Sequence, residues 1–299
     1  MKCPPYYWPN VKQDFCFFKE ADFLSFEDSL GAVLTVCAIS LSLVPLTVLT
    51  IFVKFRQTPI VKANNRSLSY FILVVLTQCF LSSMVFIGYP NHVTCLVRQP
   101  AFGLCFSMCV SSVLAKTIMV VLAFRATKPG SFLRQGMGRH IAYCIVFFSS
   151  LGQAIIIICW LSLYPPFPEL NIGYYKERVI PECNEGSKVM FHGMLGYQSI
   201  LASVCFIVAF MVRKLPDCFN EAQFITFSMI TFLCVWLSFI PAYLSTKGKY
   251  VVVVEIFAIL SSACALLVCI FIPKCYIIVL KPELNTREGM TKKDVFKVQ

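Results

Sequence analysis

Charge is what this sequence has least of. Only 14% of its 299 residues are Asp, Glu, Lys or Arg, where soluble domains carry roughly a quarter. With 58% hydrophobic residues and a mean hydropathy of +0.75, that shortage excludes the two soluble domains that ~150 residues per domain would suggest. The residues of metal and hydrolytic chemistry are missing too. There is no Cys-x-x-Cys, and His92, His140 and His192 stand far apart, so no zinc spacing exists and neither metal nor cofactor is implied. His-Glu-x-x-His is absent and no acidic dyad falls in an apolar stretch, which argues against an intramembrane enzyme. Residues 1–19 lack the charged-then-apolar pattern of a signal peptide, leaving the first apolar stretch to act as the export signal.

What is present is long apolar sequence. Seven stretches are long enough, at ~1.5 Å per residue, to cross a ~30 Å hydrocarbon core. They run over about 29–53, 67–88, 100–124, 141–164, 190–212, 224–246 and 250–272. These predict an all-α membrane protein, a seven-helix bundle over 29–272, with short ends at 1–28 and 273–299. The first, third and fifth connectors hold ten Lys or Arg and the other three hold six, which places the former in the cytoplasm, the N-terminus outside and the C-terminus inside. The net charge of +11 then sorts by side: nine basic against nine acidic residues outside, sixteen against five inside. The basic excess is therefore an orientation signal, and its contacts are membrane lipid headgroups rather than nucleic acid. Lys116 and Glu255 are the two ionisable residues inside the predicted spans, and intramembrane charge is a functional candidate by default.

Of the sixteen cysteines, ten lie in spans as small buried hydrophobes. Cys218 and Cys275 face the cytosol, and Cys275, just past the last span, is a palmitoylation candidate. Four remain outside. A Cys95–Cys183 bond would clamp the long outer loop over the bundle, leaving Cys3 and Cys16 to close a short turn.

Several strings carry a family resemblance. The third span opens Cys95-Leu-Val-Arg98-Gln99-Pro100-Ala-Phe102-Gly103 and continues through Leu114-Ala-Lys116-Thr117. The sixth is preceded by Phe219-Asn220-Glu221-Ala222 and contains Trp236-Leu-Ser-Phe239-Ile-Pro241-Ala-Tyr243; the seventh is followed by Pro273-Lys274-Cys275-Tyr276 and Lys281-Pro282-Glu283. Together with Lys54-Phe-Arg56-Gln-Thr-Pro59 in the first inner loop, these resemble the class C G-protein-coupled receptors, the family of calcium-sensing, metabotropic glutamate, taste and vomeronasal type-2 receptors. The 273–283 ending is most similar to vomeronasal type-2 and fish olfactory members, the other blocks equally to the calcium-sensing receptor.

The resemblance implies a multi-pass plasma-membrane receptor that couples rearrangement at its outer face to a heterotrimeric G protein, as a homodimer or a heterodimer with other class C receptors. It implies that Lys116 and Glu221 form a lock holding the inactive bundle closed, with Asn65 standing where the family has a serine. It implies a small-molecule pocket at Arg98, Gln99, Phe102, Trp236, Phe239, Tyr243 and Glu255. Lys128, Phe132, Leu133, Arg134, Lys214, Leu215 and Pro216 on the inner loops are the candidates for G-protein contact. Residues 3–16, followed by Phe23-Leu-Ser-Phe26, look like the end of the cysteine-rich stalk that joins the family's bilobed ligand-binding domain to its helices; that domain is not encoded here. A fragment that does not signal is thus one alternative, and a transporter or channel another, although no inverted repeat is visible. Lys116 could instead snorkel without a partner, Glu255 could be a neutral structural acid, and the basic loops could serve topology alone. Pro241 would remove a backbone hydrogen bond and kink the sixth helix.

Overall fold

The computed structural model describes residues 3–285 except 5, 11, 13, 127–134, 176 and 214–220. In chain order the elements are β1 (Tyr7–Pro9), β2 (Cys16–Phe18), β3 (Glu20–Ala21), α1 (Ser29–Lys54), α2 (Pro59–Ala63), α3 (Arg66–Ser82), α4 (His92–Ala126) and α5 (Gln135–Leu163). There follow β4 (Phe167–Asn171), β5 (Arg178–Asn184), α6 (Lys188–Val212), α7 (Glu221–Ser245) and α8 (Lys249–Leu280). Among the described residues seven helices are long and apolar enough to span a membrane, all but the five-residue α2. Hydrocarbon offers no hydrogen bonds, so a spanning segment must satisfy its backbone internally, and the helix does so. Hydroxyls within the spans follow the same rule: Thr77 donates to the Leu73 carbonyl, Ser112 to Met108 and Thr117 to Val113, each on its own helix.

The bundle has a centre and a rim. α3, α4 and α8 bury most of their surface, whereas α5 and α1 bury little. The core is aromatic, with Phe52, Phe80, Phe106, Trp160, Phe232 and Phe271 sealed from solvent, and Phe52 packs edge-on against Phe271 at 5.8 Å. On α5 the large apolar residues Phe147, Phe148, Ile155 and Ile158 point outward, the arrangement expected where lipid rather than water is the solvent.

One face carries the strands. β4 and β5 form an antiparallel hairpin, β3 pairs in parallel with β5 through Glu20↔Arg178, and β1 pairs with β2. Disulfides join Cys3 to Cys16 and Cys95 to Cys183, the second fastening β5 to the first turn of α4 across 5.5 Å between Cα atoms. Asp22, just after β3, accepts from Lys249 at 3.0 Å and pairs with Arg178 at 3.5 Å, so the N-terminal segment is anchored both to the hairpin and to the start of α8.

Three helices are longer than their hydropathy suggests, among them α5, which begins at Gln135 rather than 141. α4 begins at His92 rather than near 100, which puts Cys95, Arg98 and Gln99 on helical turns. α8 runs on to Leu280, so Pro273, Lys274 and Cys275 lie inside it, and Cys275 is a partly buried thiol packed against the core rather than a residue beyond the span. Pro273 does not end the helix because Tyr276 to Leu280 continue the apolar face, and freed backbone groups in a bundle are re-satisfied by neighbours.

The two disulfides differ in what they hold. Cys95→Ser and Cys183→Ser each lose surface display to a similar, large extent, because either releases the hairpin from α4. Cys3→Ser and Cys16→Ser lose less, since that bond closes only the β1–β2 turn. Surface biotinylation of the four variants checks this; equal loss in all four would refute it.

Candidate functional site

Polar side chains gather at two places, one at each end of the bundle. At the end opposite the strands, the short helix α2 leads into Asn64 and Asn65. Asn65 has a φ of +46°, the left-handed region that Asn tolerates better than most residues, and this reversal starts α3 while aiming Asn64 inward. Lys116 of α4 donates to Asn64 Oδ1 at 2.9 Å and to Ser69 Oγ at 2.8 Å. Its Nζ stands 3.6 Å from Glu221 Oε1, at the first residue of α7, and lies 5.4 Å from the centre of the Phe271 ring. Lys274 of α8 donates to the same Glu221 oxygen at 2.6 Å and also to Asn64 Oδ1. Lys116, Lys274, Asn64 and Ser69 are all at most 5% exposed.

This corrects the expected trio. Lys116 and Glu221 are brought together, but Asn65 contributes its backbone to the turn, and Asn64 supplies the amide. Lys274 and Ser69 were not anticipated. A signal for Lys274 existed: four apolar residues, Ile277 to Leu280, follow it closely, so the span did not have to end at the proline.

The second cluster lies beneath the hairpin. Gln99 Nε2 donates to Glu255 Oε1 at 3.0 Å, joining α4 to α8. Arg98 pairs with Glu185 at 3.4 Å and sits over the Phe86 ring. Trp160 donates from its indole nitrogen to the Glu185 carbonyl at 3.0 Å. A ladder of rings descends α7: Tyr243 to Phe239 at 5.3 Å, Phe239 to Trp236 at 5.2 Å, and Trp236 stacked on Phe102 of α4 at 5.1 Å. Gln99, Phe102, Trp236, Phe239 and Glu255 line a tight cleft of about 10 Å³, room for about one water. Arg98, Tyr243 and Glu255 line an adjoining cavity of about 80 Å³ under β5. Thus all seven expected pocket residues converge.

Glu185 was missed, although Cys183 two residues earlier and Arg98 three residues after Cys95 would have placed it once the disulfide was drawn. Its carboxyl is pushed up to about 7, because burial outweighs the pull of Arg98. Glu255 finds an amide and no cation within hydrogen-bonding reach, and its Oε2, like the Trp236 indole nitrogen, has no hydrogen-bond partner among the described residues. The inner-loop candidates Lys128, Phe132, Leu133, Arg134, Lys214, Leu215 and Pro216 lie outside the described residues. Among the described residues no His, Cys, Asp and Glu side chains group to hold a metal.

Seven spanning helices, a disulfide-clamped hairpin over a ring-lined cleft and a buried ionic cluster at the far end define a heptahelical membrane protein. The family follows from comparison. Residues 24–274 match the family described as "7 transmembrane sweet-taste receptor of 3 GCPR", and the chain belongs to that family, the class C G-protein-coupled receptors, which are multi-pass proteins of the plasma membrane. It is 49% identical to vomeronasal type-2 receptor 26 of Mus musculus over 292 residues, 98% of this chain and 34% of that receptor. It is 46% identical to the extracellular calcium-sensing receptor of Homo sapiens over 286 residues, 95% of this chain and 26% of that receptor. Against G-protein coupled receptor family C group 6 member A of Homo sapiens the identity is 38% over 288 residues, 96% of this chain and 30% of that protein. The chain therefore spans about a quarter to a third of the length of these relatives.

The raised Glu185 carboxyl gives a signed pH dependence. A carboxyl held above its unfolded value binds its proton more tightly in the folded protein. Its contribution is then present at low pH and lost as pH rises from the ordinary glutamate range through about 7. In detergent, the melting temperature of the wild type falls relative to Glu185→Gln between about pH 5 and pH 7 and levels off above. A difference that does not change over that interval would refute the assignment.

Proposed function

We propose that this chain is the membrane-spanning signalling core of a class C chemosensory receptor of pheromone or olfactory type, converting rearrangement at the strand-bearing face into opening of the opposite face toward a heterotrimeric G protein. The observation that carries this reading is the meeting of Lys116, Lys274 and Glu221. Glu221 begins α7, and its partners sit on α4 and α8, so α7 cannot leave the bundle at that end without separating buried charges. Breaking a buried pair leaves an uncompensated ion, a penalty of ~3–5 kcal/mol. That is enough to hold a closed state as the dominant one until a ligand favours the open one.

In this reading the strands and the N-terminus face outward and α2 and the C-terminus face the cytosol, as the basic residues of the connectors suggest. A small organic molecule enters beside Gln99, Trp236 and Glu255 by parting the rings, and Glu255 Oε2, which has no hydrogen-bond partner among the described residues, favours one with a donor such as an amine. Trp236 lies 15 residues from Glu221 on one helix, ~22 Å at helical rise, so a ligand that displaces the indole acts on the rod that carries the lock. Lys128, Phe132, Leu133, Arg134, Lys214, Leu215 and Pro216 are the proposed G-protein contacts, and the exposed apolar faces suit pairing with a second class C receptor.

At matched surface display, Lys116→Ala and Glu221→Ala each raise basal G-protein activation about fivefold, the effect of ~1 kcal/mol on a two-state balance. A resonance-energy-transfer assay of G-protein dissociation reads this, and unchanged basal activity in well-displayed variants sinks the lock and favours the non-signalling fragment.

A further inference from the structure

The ionic cluster is unevenly charged. Among the described residues it holds two ammonium groups, Lys116 and Lys274, and one carboxylate, Glu221. The remaining acceptors are neutral: Asn64 Oδ1, which receives a hydrogen bond from both lysines, and Ser69 Oγ, which receives one from Lys116. Asn64 is 5% exposed, and its amide nitrogen is buried without a hydrogen-bond partner among the described residues. Two features are therefore wrong for a cluster built only for strength. Among the described residues an amide supplies the one atom that accepts a hydrogen bond from both lysines, and half of that amide is a donor facing a site already rich in donors.

A carboxylate at Asn64 would mend both. It is nearly the same size, it would replace the orphaned N–H by a second acceptor, and it would equalise the charges in a region where unpaired charge is expensive. We propose that Asn64 is the residue that sets the strength of the lock. By bridging Lys116 and Lys274 without neutralising them, it leaves the closed state one negative charge short, and so keeps it weak enough to open. The two lysines are then unequal. Lys274, at 2.6 Å, is the closer partner of Glu221, while Lys116, at 3.6 Å, is held chiefly by Asn64 and Ser69. The lock's shortest contacts form two latches, α7 to α8 and α4 to the α2–α3 turn, and Asn64 Oδ1 accepts a hydrogen bond from the lysine of each.

This rests on reading the cluster as a lock, and the experiment separates the two claims. The whole chain is displayed on cells and purified in detergent as wild type, Asn64→Asp, Asn64→Leu, Glu221→Gln and Asn64→Asp combined with Glu221→Gln. Two quantities are read: basal G-protein activation at matched display, and the melting temperature, which senses the closed bundle whether or not it signals. The proposal expects Asn64→Asp to lower basal activation about tenfold, the effect of ~1.4 kcal/mol, and to raise the melting temperature. Asn64→Leu does the opposite on both. The combined variant, whose carboxylate has moved from α7 to the bridging atom, melts above Glu221→Gln. Should Asn64→Asp fail to reach the surface, Ser69→Asp, which places the carboxylate on the other acceptor of Lys116, is required to raise the melting temperature. If the melting temperatures follow this order while basal activation stays flat, the charge shortage stands and the lock reading falls. If Glu221→Gln activates but Asn64→Asp matches wild type or melts lower, the lock stands and this proposal is overturned.

Discussion

Everything in this molecule answers to one constraint: inside hydrocarbon, a charge or a backbone amide has no water to turn to. The helices exist because they satisfy their own backbones, and the hydroxyls of Thr77, Ser112 and Thr117 bond back to their own turns for the same reason. The few charges that remain within the spans are consequently drawn together. Lys116, Lys274 and Glu221 could each have stood alone only at several kcal/mol, and they come from helices that start and end far apart in sequence. In the bundle, a charge is as strong a constraint on packing as a phenylalanine, and it specifies its partner more narrowly.

How far this was legible depends on whether the signal is local or spatial. Apolar length is local, so seven helices follow from hydropathy. Their ends are less visible because the polar residues that mark a span's end also occur inside one when a partner waits there. His92, Arg98 and Gln99 shortened α4 on paper because their partners, Glu185 and Glu255, lie 87 and 156 residues away from Arg98 and Gln99. Pro273 and Lys274 shortened α8 likewise, although Lys274 is paired across 53 residues with Glu221. The resemblance to class C receptors brought Lys116 to Glu221 and gathered the seven pocket residues, but it stopped one position short at the α2–α3 turn. Which of two adjacent asparagines points inward is fixed by a left-handed φ at Asn65, and nothing in the string Ala63-Asn64-Asn65-Arg66 decides it.

The strand-bearing face shows how a loop becomes part of the bundle. The hairpin β4–β5 buries Val179 and Ile180 of β5, and it is held at Cys183 by α4, at Arg178 by Asp22 and at Glu185 by Arg98 and Trp160. Since Asp22 also holds Lys249, the segment preceding α1, the hairpin and the start of α8 form one connected cap. A displacement of the N-terminal segment is thus delivered to α4 and α8 together, over the cavity that Gln99 and Glu255 line.

Polar side chains tie α4 to α8 at both ends of the bundle. The two are joined at the capped end by Gln99 and Glu255, and at the other end by Asn64, which bonds both Lys116 and Lys274. Gln99 and Lys116 are 17 residues apart and Glu255 and Lys274 are 19, spans of ~25 and ~28 Å at helical rise, so the pair is a frame braced at both ends. α7 packs along α8 for much of its length, and it meets α4 through the stack of Trp236 on Phe102 and, at its first residue, through Glu221. Stacked rings are worth ~0.5–1.5 kcal/mol, less than the cost of separating a buried ion pair. Parting α7 from α4 at the end opposite the cap is therefore resisted less by the rings than by Glu221. In the proposed lock the neutral amide of Asn64 sets the threshold for that parting, because Glu221 leaves behind two lysines bonded to an acceptor that carries no charge.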